Sequence, residues 1–481
     1  MITTEAEHFI DGQFRRAERT EIVIEAATEN PIGEGPSATY GEIDEAVAAA
    51  RKALVGWRTT SPTTRAAMLQ RLADALESKR EQTAALCTRE TGSPIATSRS
   101  LNGMSPVALF RYYASITPDI KTEEVRPGTF GYTVVRHEPV GVVGAIVPWN
   151  APQGVAAMKV APALAAGCTV VLKAAQETAL DARVIAEAAA QAGLPPGVLN
   201  ILAGDREAGA HLVSHPGIDK VTFTGSTSAG RLIAETCGRL MRPVTLELGG
   251  KSAAIILDDA DLDGTMQRLR QVSFGNNGQL CYANTRLLAP RSRYSEVVDA
   301  AAAMADSLVV GNPLDESVDI GPLVSSRQRD RVLGYMETGK TEGARLVVGG
   351  GTPTLEKRGW YVAPTVFADV DSSARIAREE IFGPVLSIIP YNSDAEAVTI
   401  ANDSEYGLGG SVWSGDEERA MSIAREIQSG TVGVNRYELE LNAPYGGIKA
   451  SGLGRELGPE GLTAYHTVKS IYRVDERTED R

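Results

Sequence analysis

The chain has 481 residues, 43% of them hydrophobic and 23% charged, with a formal net charge of −13. That length exceeds one ordinary core and predicts two or three domains. The acidic balance speaks against nucleic acid or an anionic membrane as a partner, and no apolar run is long enough to span a bilayer.

The first eight residues, MITTEAEH, lack the basic and apolar regions of a signal peptide. Residues 44–89 are Ala-rich, with apolar positions at three- and four-residue spacing, and predict helix. The segment 131–137 alternates like a half-exposed strand, as does 470–474; both suit an oligomer-forming arm as well as an ordinary hairpin. From residue 140 the pattern changes. Short apolar runs at 140–148, 168–173, 198–202, 220–224 and 252–257 predict buried strands, with helical patterns at 156–166, 181–192 and 229–240 between them. Such alternation implies a parallel sheet covered on both faces. A second alternating region follows over 261–429, with a loop at Gly349, Gly350 and Gly351. Four cysteines (Cys87, Cys168, Cys237, Cys281) are too scattered for a disulfide scaffold or a zinc site, and fit a reducing cytoplasm. His211 and His215 have the i, i+4 spacing of a metal pair, but no third ligand or acidic partner stands nearby in sequence. They read as a solvated helix face, and no metal is expected.

Several positions at predicted strand ends carry possible chemistry. Trp149 and Asn150 follow one strand, and an Asn amide there can donate to an oxyanion or simply form a turn. Lys173 ends the next, suited to a ribose hydroxyl or to solvent. Gly225, Ser226 and Gly230 lie between a strand and a helix, where free amides favour a pyrophosphate, although the GxGxxG pattern is absent. Glu247 ends an apolar strand ahead of two glycines; partial desolvation there raises a carboxyl toward general-base use, whereas a Glu at a strand end more commonly reaches solvent. Cys281, preceded by Gly278 and Gln279, sits where a tight turn leaves amides free. A reactive thiol needs such exposure, and nearby positive charge or helix-end amides lower its pKa. A buried, inert thiol is the alternative.

Taken in order, Asn150, Lys173, Gly225, Glu247 and Cys281, together with EEIFGPV at 379–385, YGL at 406–408, GTVGVN at 430–435 and PYGGIKASGLGR at 444–455, resemble the aldehyde dehydrogenase superfamily along nearly the whole chain. The resemblance implies an α/β fold: a Rossmann-like dinucleotide-binding domain (1–118 and 140–249), an α/β catalytic domain (250–450) and a small β oligomerisation arm (119–139 and 451–481). A homodimer or a tetramer built as a dimer of dimers is implied. Cys281 would attack an aldehyde, Asn150 and the Cys281 amide would hold the oxyanion, and Glu247 would activate water to hydrolyse a thioester, with Lys159 relaying protons. Lys173, Gln176, Gly225, Ser226, Gly230, Leu248 and Glu380 would hold the cofactor, with Trp149 and Phe382 beside its nicotinamide. NAD is implied, with NADP accepted as well, since Gln176 stands where NAD-preferring members often have Glu. Ala151 and Met158 replace frequent aromatics and predict a roomy site for medium-to-bulky aliphatic or aromatic aldehydes. Tyr445 takes a place usually held by Phe or another aromatic. Glu438 and Glu440 border the tunnel mouth, where they suit a cationic aminoaldehyde or betaine-type substrate, or solvent. Glu247 favours hydrolysis over acyl transfer to coenzyme A. A cysteine esterase would leave the cofactor positions without a purpose.

Overall fold

The computed structural model describes residues 5–354 and 358–474. The outermost parts of the expected domain ranges, 1–4 and 475–481, therefore lie outside the described residues, as does 355–357.

The Ala-rich stretch forms three helices, Tyr40–Trp57, Pro62–Glu77 and Arg80–Thr91. The first starts at a capping box in which Thr39 and Glu42 satisfy each other's backbone amides, and the second at Ser61 followed by Pro62. The third ends at Gly92 in the left-handed conformation. The break between the first two was not visible in the apolar spacing, because the periodicity continues across it.

The first sheet runs Gln13–Arg16, Glu7–Ile10, Leu199–Ala203, Thr169–Ala174, Val142–Ile146, Lys220–Thr224, Val244–Glu247, Gly452–Leu453. The five central strands are parallel and stand in the order 3-2-1-4-5 of their appearance in the chain. This is doubly wound topology, in which ligands bind at the carboxyl ends of the strands where the order reverses. The reversal falls at Val142–Ile146, directly before Trp149 and Asn150. An antiparallel hairpin turning at Asp11 and Gly12, both at positive φ, closes one edge. Gly452–Leu453 closes the other by pairing with Val244–Glu247. Residues 452–463, expected in the arm, thus join the first sheet and the helix Pro152–Ala166 it carries. The glycine-rich sequence there hides the short strand.

The second sheet runs Arg345–Val348, Thr365–Ala368, Val385–Tyr391, Asn284–Pro290, Ser252–Ile256, Gly410–Trp413, Gly433–Val434, and only its first strand is antiparallel. A separate three-stranded sheet joins Glu123–Gly128, Gly131–Pro139 and His466–Arg473. It exposes Val125, Phe130, Val468 and Tyr472. No helix among the described residues is long and apolar enough to cross a membrane.

His211 and His215 do have an acidic partner, from a distant helix. Asp44 Oδ1 lies 2.6 Å from His211 Nε2 and 3.3 Å from His215 Nε2, and Tyr40 stacks on His211. Among the described residues no group of three or more His, Cys, Asp or Glu is arranged to hold a metal ion.

Candidate active site

Cys281 lies in the connection between helix Leu262–Phe274 and strand Asn284–Pro290. Three successive residues there, Asn276 (φ 54), Asn277 (φ 60) and Gly278 (φ 71), adopt the left-handed conformation. Asn tolerates it and Gly prefers it. A Cβ at Gly278 would also stand 2.2 Å from the Gly383 carbonyl oxygen. Buried side chains hold the turn. Asn277 Nδ2 donates to the Gly92 and Pro322 carbonyls at 2.9 and 2.8 Å, and its Oδ1 accepts from Gly321 N–H at 2.8 Å. Asn276 Nδ2 donates to the Asn150 carbonyl at 2.8 Å, while Asn150 Nδ2 donates to the Gln279 carbonyl at 2.8 Å. Asn150 is thereby fixed beside the cysteine with one amide hydrogen committed and the second left over. Asn276 and Asn277 were not singled out in the sequence; their left-handed runs and long-range acceptors leave only the adjacent Gly278 as a signal.

The Cys281 thiol is half-buried, 3.3 Å from Tyr445 Oη. Burial pushes its pKa up to about 12; hydrogen bonds from Tyr445 and the Tyr282 backbone lower it, whereas Glu380 and Glu247 raise it further. No cationic side chain is among the groups that shift it, so nothing of that sign offsets the burial.

Glu247 ends its strand 2% exposed, and neither carboxylate oxygen has a hydrogen-bond partner. Burial and then the Glu456 carboxylate hold it well above the usual range, against Lys159 and Arg455. The desolvation expected at this strand end is present. Lys159 Nζ is 2.5 Å from Glu456 Oε1, which also accepts from the Thr222 hydroxyl at 3.3 Å. Gly446 adjoins the carboxylate: a Cβ there would lie 2.4 Å from Glu247 Oε1. The segment Tyr445–Gly446 therefore touches both the sulfur and the base.

A cavity of about 570 Å³ opens at the carboxyl ends of the first sheet, with Lys173, Gln176, Asp205, Arg206 and Phe223 in its wall. Burial brings Lys173 down to about 8. Gln176 Nε2 donates to the Pro36 carbonyl at 3.2 Å, and its Oε1 is buried without a partner. Ser226 caps helix Thr227–Arg239, and Gly230 in its first turn packs on Leu248, which a Cβ would strike at 2.5 Å. Glu380 accepts from Gly250 N–H at 3.1 Å, and burial raises it to about 7. Trp149 and Phe382 meet edge to face, 5.4 Å between centroids. The cavity wall has a cationic side chain, a buried orphan acceptor and, at the start of helix Arg206–Ser214, Gly204 and Gly209, which fits a dinucleotide; Gly225, Ser226, Gly230 and Leu248 lie outside that wall.

A second cavity, of about 650 Å³, is lined by Met158, Leu109, Leu439, Leu457 and the two chain neighbours of Cys281, Leu280 and Tyr282, with Arg268, Arg436 and Glu438 among its polar groups. Ala151 does not line it; it is buried at the start of helix Pro152–Ala166. Met158 does line it, together with Ser100 and Leu101 of a π-helical turn, Arg99–Met104. Apolar periodicity gives no sign of such a turn, which is frequent at functional sites. Glu440 is paired with Arg436 at 2.5 Å and, with Glu438 and Tyr445, borders a smaller neighbouring cavity of about 280 Å³.

The sequence model of the aldehyde dehydrogenase family matches residues 14–471. The chain is 54% identical to a geranial dehydrogenase of Castellaniella defragrans, over 98% of this chain and 99% of that protein. Its structure resembles a Mycobacterium tuberculosis aldehyde dehydrogenase complexed with NAD+ (TM-score 0.94, 45% identity, 97% of each chain). It also resembles a mutant of aldehyde dehydrogenase C from Pseudomonas syringae in complex with NAD+ and octanal (TM-score 0.95, 40% identity, 98% of this chain and 97% of that one).

Proposed function

The chain belongs to the aldehyde dehydrogenase family, and we propose that it oxidises medium-to-bulky, uncharged aliphatic or aromatic aldehydes to carboxylic acids with NAD, and with NADP as a weaker cofactor. The observation that carries this reading is the placement of Cys281 and Glu247 against one segment, Tyr445–Gly446, with a dinucleotide-sized cavity and an apolar cavity nearby.

The Cys281 sulfur bonds to the aldehyde carbon while the thiol proton is released to solvent water, giving a thiohemiacetal alkoxide. Its oxyanion is held by the second Asn150 amide hydrogen and the Cys281 N–H. Trp149 and Phe382 would stand beside the nicotinamide, which when bound would supply the hydride acceptor that oxidation to the thioester level requires. Glu247 then takes a proton from water as the water oxygen attacks the acyl carbon; the C–S bond breaks, and the acid leaves. Lys159 and Glu456 adjust the proton on Glu247. Lys173 and Glu380 hold ribose hydroxyls, and Gly225, Ser226, Gly230 and Leu248 shape the pyrophosphate site.

The apolar wall, the octanal bound by the Pseudomonas protein and the name of the Castellaniella relative support a hydrocarbon substrate. At the mouth Arg268 and Arg436 offset Glu438 and Glu440, so an aminoaldehyde gains no net attraction. The first sheet with its helices serves as the dinucleotide-binding domain, and the second as the catalytic domain. The three-stranded sheet, with its exposed Phe130 and Tyr472, forms the contact of a homodimer or tetramer. Four free cysteines, three of them buried, suit the cytoplasm.

A panel of octanal, geranial, benzaldehyde, acetaldehyde and betaine aldehyde, assayed with NAD and NADP in parallel, tests the reading. The larger neutral aldehydes are expected to give the highest kcat/KM, with NAD preferred. Activity confined to acetaldehyde, or a strong preference for betaine aldehyde or NADP, would overturn the substrate and cofactor assignments.

A further inference from the structure

We propose that Tyr445 is itself a catalytic residue: its hydroxyl donates a hydrogen bond to the Cys281 sulfur and stabilises the thiolate that attacks the aldehyde. The inference rests on Cys281 as the nucleophile and adds a group to the machinery around it. The oxygen–sulfur distance is 3.3 Å. The ionisable side chains whose charge acts on the sulfur are Tyr445, Tyr282, Tyr437, Glu247 and Glu380. Both charged ones are acidic and oppose ionisation. Among these side chains, Tyr445 alone places a proton donor within hydrogen-bond reach of the sulfur.

The direction of the bond follows from the environment of the phenol. Burial, then the neighbouring Cys281 and Glu247, hold the Tyr445 hydroxyl protonated well beyond the ordinary range. Once the sulfur is ionised it can only accept, and the phenol can only donate. Position is fixed as well. Tyr445 N–H donates to the Glu456 carbonyl and Glu456 N–H to the Tyr445 carbonyl, both at 2.7 Å, and the Tyr282 ring meets the Tyr445 ring edge-on. The ring is therefore held by a two-bond backbone clamp to the residue that pairs with Lys159. A phenyl ring would keep that packing and leave the sulfur facing two carboxylates.

The test is the rate at which Cys281 is alkylated in the intact chain, read on its own peptide by mass spectrometry. Cys87, Cys168 and Cys237 are buried. Loss of one such bond raises the thiol pKa by about one unit, and the higher intrinsic nucleophilicity of a more basic thiolate offsets part of the tenfold loss of thiolate. Tyr445→Phe should therefore react about three- to tenfold more slowly, by the same factor with iodoacetamide and N-ethylmaleimide. Tyr445→3-fluorotyrosine, a stronger donor in the same space, should react no more slowly than the native enzyme. Alkylation of the Phe variant at the native rate or faster, or slowing with the bulkier reagent only, would overturn the proposal. Alkylation of Cys281 that leaves dehydrogenase activity intact would remove the nucleophile reading itself.

Discussion

The two parallel sheets present their chemistry in opposite ways. The first sets Asn150, Lys173, Ser226 and Glu247 at or just beyond the carboxyl ends of its strands, where register fixes Lys173 and Glu247: Thr224 pairs with Glu247, and Ile146 with Lys173. The second delivers Cys281 ahead of a strand, on a turn of three left-handed residues that no ladder supports. That turn is held by Asn276, Asn277 and Gln279 reaching carbonyls and amides 44 to 185 positions away. Binding residues are thus placed by local geometry, and the nucleophile by long-range hydrogen bonds that also tie the two bodies together.

The comparison is broken most severely by removing the sulfur alone. Cys281→Ser should lower dehydrogenase turnover by about 10³-fold or more, with cofactor binding and thermal stability retained, because the turn is held by its neighbours. Native-like dehydrogenase kinetics in that variant would remove Cys281 from the reaction.

Loosening the turn comes next. Asn277→Ala deletes three buried hydrogen bonds and leaves Gly92 O, Pro322 O and Gly321 N–H to be satisfied otherwise, at about 1–3 kcal/mol each. A lower melting temperature and a fall of about 10- to 100-fold in kcat are expected, with the Kd for NAD within about threefold of native. A Kd that weakens in step with kcat would mean that the two bodies are not as separable as the contrast implies.

Acid–base behaviour sharpens the same contrast. Glu247 is buried and its carboxyl is raised, so its basic form is lost as pH falls; Cys281 is raised as well, so its thiolate is lost in the same direction. Turnover should therefore rise with pH from 6 to 9, by up to about tenfold per unit where one group limits. An optimum near pH 6 would contradict both assignments.

The smallest effect concerns Gln176. Its side chain hangs in the cofactor cavity with Oε1 unpartnered. Gln176→Glu places a carboxylate there and should raise the NAD-over-NADP ratio of kcat/KM about 5- to 50-fold, mostly by weakening NADP. An unchanged ratio would move the 2′-hydroxyl away from residue 176.

What was legible in the sequence follows the same division. Parallel strands buried on both faces appear as short apolar runs, so Val142–Ile146, Thr169–Ala174 and Lys220–Thr224 were readable, together with the residues at their ends. Lys159, Glu380 and Phe382 entered through family resemblance alone. Strand Gly452–Leu453 lacked apolar alternation and was placed with the arm. The π-helical turn and the Asn276–Asn277 braces have no period to find. Asp44 beside His211 and His215 joins two helices far apart in the chain, and spacing along one helix cannot show it. The surroundings of the Cys281 sulfur are hidden for a similar reason: neighbouring residues in sequence suggest free amides, while burial, Glu247 and Glu380 come from parts of the fold distant in the chain.

The most direct test of the central claim is intact mass spectrometry of the Glu247→Gln variant mixed with NAD and octanal. Oxidation should proceed for one turnover, and the acyl group should remain on the peptide carrying Cys281, adding the mass of the aldehyde less two hydrogens. An unmodified Cys281 peptide after a full burst of NADH, with turnover near the native rate, would contradict a thioester hydrolysed by Glu247.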